Sequence, residues 1–468
     1  MANSVTKSEA KEKDLEYNEK FVTEVVDQQY IDRAMKFCEG YKDFLNNAKT
    51  EREGVKTIRA LADKAGFREW DRKGKLTAGE RVYFVNRKKT IVLISMGSED
   101  IEKGVNMTVA HLDSPRLDLK TKPLYEDGGM GYLKTHYYGA IKNYQWTTIP
   151  LALHGVIIKK DGSSVDVKIG EDKYDPVFCI TDLLPHLSRK QDEKKMKEGI
   201  EPEGLNILIG SIPLKGSDKD KPGSVKKNIL EILNKKYGVV EQDLVTAELE
   251  IVPAVEAKDI GFDRSMVGAY GQDDRICVYP TLQAILNLKG NQKTSVVVLA
   301  DKEEIGFCGI TAPTPLFLRG IIEQLAMGKD LRLTLENSAC LSSDVNAAFD
   351  PLYADVFESR NSTYLGKGLA ICKYTGYAWK AGASDASAEF LSRFTRLFDK
   401  HNIVWQTGEI GKAGAGGGGT FATEIAAAGI EVLDAGVAIL SMHSPFEIAS
   451  KLDIYSFYQG CEVFLKDF

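Results

Sequence analysis

A run of about eighteen apolar residues, the length a membrane-spanning helix needs, occurs nowhere in the 468 residues. No transmembrane helix is therefore expected. The opening stretch, MANSVTKSEAKEKDLEYNEKF, lacks the apolar core of a secretory signal. Excess positive charge is also missing: 61 Lys and Arg face 67 Asp and Glu, for a net charge of -6. With no block of basic residues either, neither nucleic acid nor an anionic membrane is expected as a partner. The seven cysteines (Cys38, Cys179, Cys277, Cys308, Cys340, Cys372 and Cys461) are odd in number, scattered, and contain no C-x-x-C pair. That points to reduced thiols in a cytoplasmic protein and away from a disulfide framework or a thiolate zinc site.

Two catalytic signatures are absent as well. The glycine-rich run GKAGAGGGGTFATE, Gly411 to Glu424, has Gly419 where a phosphate-binding Walker loop needs lysine. Such a run instead brings backbone N–H groups close to a ligand, or makes a tight loop. HSPF near the end is not accompanied by the G-x-S-x-G elbow of a serine hydrolase.

What is present is an alternation of strands and helices interrupted once. Asp27 to Ala65 has helical spacing, and GERVYFVNRKKTIVLISMG reads as two strands around a turn at Arg87–Lys89. VNMTVAHLDSP is a buried strand ending in polar residues. Between about Leu117 and Phe262 short β-like runs, such as GVIIKKDGSSVDVKIG, alternate with charged segments such as SRKQDEKKMKEG. The alternation then returns. DDRICVYPTLQAILNL reads as a helix, TSVVVLA as a strand, PLFLRGIIEQLAMG as a helix and DLRLTLENSA as a strand. ASAEFLSRFTRLF reads as a helix and AGVAILSMHS as a closing strand. The pattern predicts an α/β fold: a mixed, mostly parallel sheet sandwiched by helices, with an inserted β-rich domain. The expected boundaries are 1–116 and 263–468 for the two parts of the main domain and 117–262 for the insert.

In open α/β sheets functional groups collect just past the carboxyl ends of strands. Four predicted strand ends carry groups of the metal-ligand type: His111 with Asp113, Glu303 with Glu304, Asp344, and His443. A fifth candidate, GQDDRICV, offers Asp273 and Asp274 at a helix start. Singly, each has a plain reading as a satisfied polar residue, a helix cap or solvated surface. Their joint occurrence at strand and helix ends is what points to a metal site. Nitrogen and carboxylate ligands suit zinc, with cobalt and manganese as alternatives. Two ions bridged by one carboxylate activate water, and a further carboxylate off the metals serves as general base. Adjacent glutamates point in different directions and can divide those tasks.

The blocks AHLDSPRLDLK, DDRICVYPTLQAIL, LADKEEIGFCG, SSDVNAAF, GGGGTFATE and SMHSPFE, in that order, resemble the aspartyl aminopeptidase family of dinuclear metallopeptidases. The resemblance runs from about Phe67 to the C-terminus. It implies a hydrolase that removes N-terminal residues, Asp or Glu by family preference, from peptides. It implies two divalent ions per subunit, Zn2+ first, with Co2+ or Mn2+ as alternatives. His111 and Asp344 would bind one ion, and Glu304 and His443 the other. Asp113 would stand behind His111, accepting its second N–H, and Glu303 would be the general base. In the family's pattern an LQA helix segment begins nine residues after the bridging Asp; Leu282-Gln283-Ala284 begin nine residues after Asp273, so the resemblance assigns the bridging carboxylate to Asp273, with Asp274 the alternative.

The DDR form of this segment is similar to that of the related tetrahedral aminopeptidases, so neutral or broad specificity is a second expectation. A catalytically silent assembly or cargo protein on the same scaffold is a third. The family's insert is a dimerisation domain, and its members form homo-oligomers, dimers assembled into a dodecamer. A histidine of the insert, matched here by His186 in ITDLLPHLSRK, reaches a neighbour's active site in that family. Lys373 in AICKYTG would hold the substrate's acidic side chain, and Gly418 and Gly419 would line the cleft.

Overall fold

The computed structural model describes residues 15–216, 223–376, 380 and 382–468. The stretch read for a secretory signal lies, up to residue 14, outside them. No helix among the described residues is long and apolar enough to cross a membrane.

A nine-stranded sheet forms the frame. Its order is Arg68–Glu69, Arg81–Asn86, Thr90–Ser95, Thr294–Ala300, Val105–His111, Ala339–Ser343, Glu431–Gly436, Leu369–Cys372 and Trp405–Thr407. The four strands from Thr294–Ala300 to Glu431–Gly436 run parallel, and antiparallel neighbours flank them. The fold is thus mixed α/β, as the pattern predicts.

The strand Thr294–Ala300 shows why its apolar run was needed. Val296, Val298 and Ala300 pack into one core, and Val297 and Leu299 into the other, all fully buried. Successive side chains point to opposite faces, so a sheet covered on both sides demands apolar residues at every position. Fully burying each Val or Leu contributes roughly 1.5–3 kcal/mol. One core lies under helices Gln28–Asn47, Glu51–Lys64, Gln272–Asn287, Ala388–Lys400 and Lys451–Asp467. The other lies under Pro315–Ala326 and Ala422–Ala427.

One expectation fails here. Asp330 to Ala339 reads as a strand by its alternating leucines, but Leu331–Glu336 is a helix and the strand begins at Ala339. The Asp330 side chain accepts the Leu333 N–H at 3.0 Å and caps the turn. Leu, Arg and Glu are good helix formers, and Leu333 is left 38% exposed.

The middle of the chain builds a separate six-stranded antiparallel sheet, ordered Ser164–Ile169, Leu151–Ile158, Glu248–Pro253, Arg116–Asp127, Met130–Tyr138 and Ile207–Gly210. Helix Ser224–Tyr237 packs on it through Val225, Ile229, Leu230 and Leu233. The strand Lys258–Ile260 does not join it. It pairs instead with Met266–Ala269 in a five-stranded sheet completed by Glu447–Ser450, Ala438–Leu440 and Asn346–Ala347. This small sheet gathers chain segments next to Asp273, Asp344 and His443.

Candidate metal centre

Parallel strands in register bring the candidate groups to one edge. Ala300 pairs with His111, so the Glu303–Glu304 turn begins beside the imidazole. Ser343 pairs with Ala435 one strand further on, and Asp344 follows it. The five-stranded sheet supplies the rest. Asp273 follows strand Met266–Ala269, and His443 lies in the connection from Ala438–Leu440 to Glu447–Ser450.

Asp273 stands between the two imidazoles. Its Oδ1 lies 3.1 Å from His111 Nε2, and its Oδ2 lies 3.2 Å from His443 Nε2. Asp344 Oδ1 is 3.7 Å from His111 Nε2 on one side. Glu304 Oε2 is 3.5 Å from His443 Nε2 on the other. Asp274 turns away from His443: its Oδ2 accepts the backbone N–H of His111 at 3.3 Å. The second nitrogen of each imidazole is fixed from behind by a backbone carbonyl. His111 Nδ1 donates to Asp113 O and His443 Nδ1 to Ala140 O, both at 2.9 Å. This turns both Nε2 atoms toward the carboxylates, where each shares a proton with them and would give that proton up to serve as a metal ligand. The Asp113 carboxylate is the more distant neighbour of His111, with Oδ1 at 3.5 Å. Its oxygens instead accept the backbone N–H groups of Glu303 and Glu304, each at 3.2 Å, and the Tyr138 hydroxyl at 2.8 Å.

The electrostatics are those of too much negative charge in one place. Burial and the surrounding carboxylates push Glu303, Glu304 and Asp274 well above the ordinary carboxylate range. Burial also raises Asp344, with Asp273 adding to it. Burial acts the same way on Asp273, but hydrogen bonds from His111 and His443 outweigh it and hold its pKa low. Burial opposes the charged form of His111, yet Asp113, Asp273 and Asp344 together push it well above its ordinary value. Glu304 Oε1 and Asp274 Oδ1 are buried without any hydrogen-bond partner. Stranding buried carboxylate oxygens costs several kcal/mol, and a divalent cation offsets that cost. Ligand atoms of His111, Asp273 and Glu304, and of His111, Asp274 and Asp344, lie within 4.8 Å of one another. The donor set of nitrogens and carboxylate oxygens therefore fits a metal of the zinc type.

Four candidates take no part in the ion pairs of this cluster. His186 sits on an exposed turn, Pro185–Leu187, beyond the six-stranded sheet, and none of the cluster's hydrogen bonds or ion pairs among the described residues involves it. Lys373 is exposed, with Nζ 3.8 Å from Asp385 Oδ1. Gly418 bridges Gly376 and lines a cleft with Tyr374, Lys380, Glu409 and Lys412. Gly419 packs against the ring of Phe307, where a Cβ would come within 3.4 Å. Phe307 belongs to the turn that carries the two glutamates, so the glycine run closes over that turn.

Two buried groups escaped the sequence reading. Tyr138 ties Asp113 to the six-stranded sheet. Glu447 accepts backbone N–H groups from Asp273 and His443. Glu447 carried a faint signal: a carboxylate in an otherwise apolar strand start, four residues after a candidate ligand.

A helix-covered sheet with such a cluster at its carboxyl edge defines a metallohydrolase. The sequence matches the Peptidase M18 profile, aminopeptidase I zinc metalloprotease, over residues 44–465. The chain belongs to the M18 family and is a metallo-aminopeptidase, a hydrolase acting on peptides. It is 50% identical over 454 residues to a probable M18 family aminopeptidase 1 of Clostridium acetobutylicum, covering 94% of this chain and 97% of that one. An M18-family aminopeptidase structure from Thermotoga maritima superimposes with a TM-score of 0.92 at 41% identity, covering 97% of this chain and 100% of that one. The fold is shared more distantly by the S. cerevisiae mApe1 dodecamer, with a TM-score of 0.72 at 21% identity, covering 93% of this chain and 99% of that one.

Proposed function

We propose that the chain removes acidic N-terminal residues from peptides with two divalent ions, Zn2+ first, held by His111 and Asp344 on one side, Glu304 and His443 on the other, and Asp273 between. The observation that carries this reading is the Asp273 carboxylate, whose two oxygens face two separate imidazoles at 3.1 and 3.2 Å. When bound, the ions lower the pKa of a water and polarise the scissile carbonyl. The chain supplies the rest. Glu303 is the general base: it takes the proton of the attacking water and returns it to the departing amine. Asp113 keeps Glu303 and Glu304 apart and aimed by gripping both backbone N–H groups. The glycine run around Gly418 and Gly419 lines the substrate cleft, and Lys373 meets the acidic side chain.

The site is completed by a second copy in a homo-oligomer of dimers, up to a dodecamer, in which the His186 turn of one copy reaches the centre of another. Leu183, Leu184 and Leu187 support this, being 46%, 49% and 67% exposed around that histidine. Exposed apolar patches of this kind mark interaction surfaces. Free cysteines without a pairing partner support a cytoplasmic location.

A second reading, neutral or broad specificity, is favoured by one observation. Lys373 and Lys380 both lie against Asp385, at 3.8 and 3.3 Å, and that carboxylate offsets their charge. A panel of Asp-, Glu-, Leu- and Lys-leading peptides with zinc-, cobalt- and manganese-loaded enzyme separates the two. Preference for Asp and Glu is expected, and it should fall in Lys373→Ala. Equal or better turnover of the Leu peptide establishes the broad reading instead.

A further inference from the structure

Glu447 is 1% exposed at the start of a strand, and no Lys or Arg among the described residues pairs with it. Its two oxygens are used by two backbone donors. Oε2 accepts the N–H of Asp273 at 3.1 Å, and Oε1 accepts the N–H of His443 at 2.8 Å. These donors come from segments 170 residues apart (443 less 273). Both segments leave the same small sheet, where Glu447 itself pairs with Ala269. Gln272 reinforces the joint, donating to the Glu447 carbonyl at 2.6 Å and the Val267 carbonyl at 3.2 Å.

His443 needs such a grip. Its φ is +65°, the left-handed region that residues with a Cβ avoid. Histidine enters that region more readily than most residues with a Cβ, and a carboxylate accepting its N–H holds it there. Asp113 does the corresponding work for Glu303 and Glu304. Glu447 therefore ties together the one pair in the cluster, Asp273 and His443, that comes from connections of the five-stranded sheet and not from the ends of the parallel strands.

We infer that Glu447 is a positioning residue: by accepting the N–H groups of Asp273 and His443 together, it sets the spacing between the bridging carboxylate and the His443-side ligand. This rests on the dinuclear reading above. The test is Co2+ uptake by the metal-free full-length protein, followed by calorimetry and visible absorption. Wild type is expected to take two Co2+ per chain. In Glu447→Gln the amide accepts one N–H and turns a donor toward the other. Uptake of one ion is then expected to weaken about 10–100-fold, with the other changed less than about threefold. The absorption bands of the doubly loaded protein should change shape, while the thermal midpoint of the metal-free protein stays close to wild type.

Two ions bound with wild-type affinities and spectrum overturn the inference, as does equal weakening of both alongside a lowered metal-free midpoint. If Glu447→Gln does not fold, Glu447→Asp, which keeps the charge but retracts it, decides on the same two criteria. A wild type that binds fewer than two ions overturns the dinuclear reading and this inference together. A wild type that binds two, with variants that bind them equally well, overturns the inference alone.

Discussion

Two buried clusters in this chain mix histidine with carboxylates, and their charge balance differs. At the junction between the main body and the six-stranded sheet, His154 lies between Glu53, 2.9 Å from Nδ1, and Glu171, 3.0 Å from Nε2. Lys49 adds a contact of 2.8 Å to Glu171. Nearby, Glu51 meets Lys89 at 2.8 Å and Arg116 at 3.1 Å, and Arg116 reaches Glu250 at 3.3 Å. Each of these carboxylates has a basic group beside it. At the strand edge, by contrast, Asp273, Asp274, Asp344, Glu303 and Glu304 have only His111 and His443, and among the described residues no Lys or Arg pairs with any of them. Burial and side-chain type are alike in the two places. The missing positive charge is what separates a ligand set from a structural ion network.

The largest effect tests the division of labour inside the unbalanced cluster. Glu303→Gln removes a proton acceptor without removing a ligand. Turnover is expected to fall about 10²–10⁴-fold, with metal content unchanged. Steady-state kinetics and elemental analysis on the same preparation check this. Wild-type turnover would mean that Glu303 contributes only charge, and a lost ion would mean that it is itself a ligand.

The next effect tests the balanced cluster. His154→Gln leaves Glu53 and Glu171 without their shared partner, and breaking a buried pair costs about 3–5 kcal/mol. Denaturant unfolding should show that loss, while kcat of the remaining folded enzyme stays near wild type. The pH dependence has a definite sign. Burial opposes charge on His154, but Glu171 and Glu53 outweigh it and raise its pKa. Its contribution is therefore complete below its unfolded value of about 6.5 and fades as pH rises through its folded value. The pKa values of Glu53 and Glu171 are lowered against burial by His154. Their contribution is present above about pH 4.5 and lost below it. The stability gap between wild type and His154→Gln should thus be widest near pH 5–6. A gap that is flat with pH would mean that folding leaves the pKa of His154 and of its two carboxylate partners unchanged.

Only the unbalanced side of this contrast was legible in the sequence, and the rest was hidden for physical reasons. The strand Thr294–Ala300 and the ligand types at its end are local features, written in a continuous apolar run and the residues after it. Leu331–Glu336 was misread because alternating leucines satisfy a strand pattern, while the Asp330 cap and Leu/Arg/Glu propensities favour a helix. The five-stranded sheet was hidden because its strands are two to four residues long and come from distant parts of the chain; AGVAILSMHS, read as one closing strand, spans the end of Glu431–Gly436 in the large sheet and Ala438–Leu440 in this one. Too short to carry periodicity, they still place Asp273 and His443. Glu447 and Tyr138 were missed for a related reason: they act on backbone or carboxylate groups far away in sequence, and only the folded chain reveals those partners. His154 likewise looks like any strand histidine until Glu53 and Glu171 are seen on either side.

The smallest effect lies where the two clusters touch. Arg116, held by Glu51 and Glu250 in the balanced cluster, stacks over the Tyr138 ring at 3.9 Å. The Tyr138 hydroxyl donates to Asp113, and Asp113 grips the backbone of Glu303 and Glu304. Tyr138→Phe keeps the ring and the stacking and removes one hydrogen bond to a carboxylate that retains two N–H donors. A loss of about 1–2 kcal/mol in stability is expected, with turnover reduced about three- to tenfold and metal content unchanged. Denaturation midpoints and kcat, measured together, check this. If Tyr138→Phe lowers turnover as far as Glu303→Gln, the aim of the glutamate pair depends on the junction, and the two clusters work as one unit. If it changes stability alone, Asp113 holds the glutamates without help, and the balanced cluster serves only to fasten the six-stranded sheet to the body.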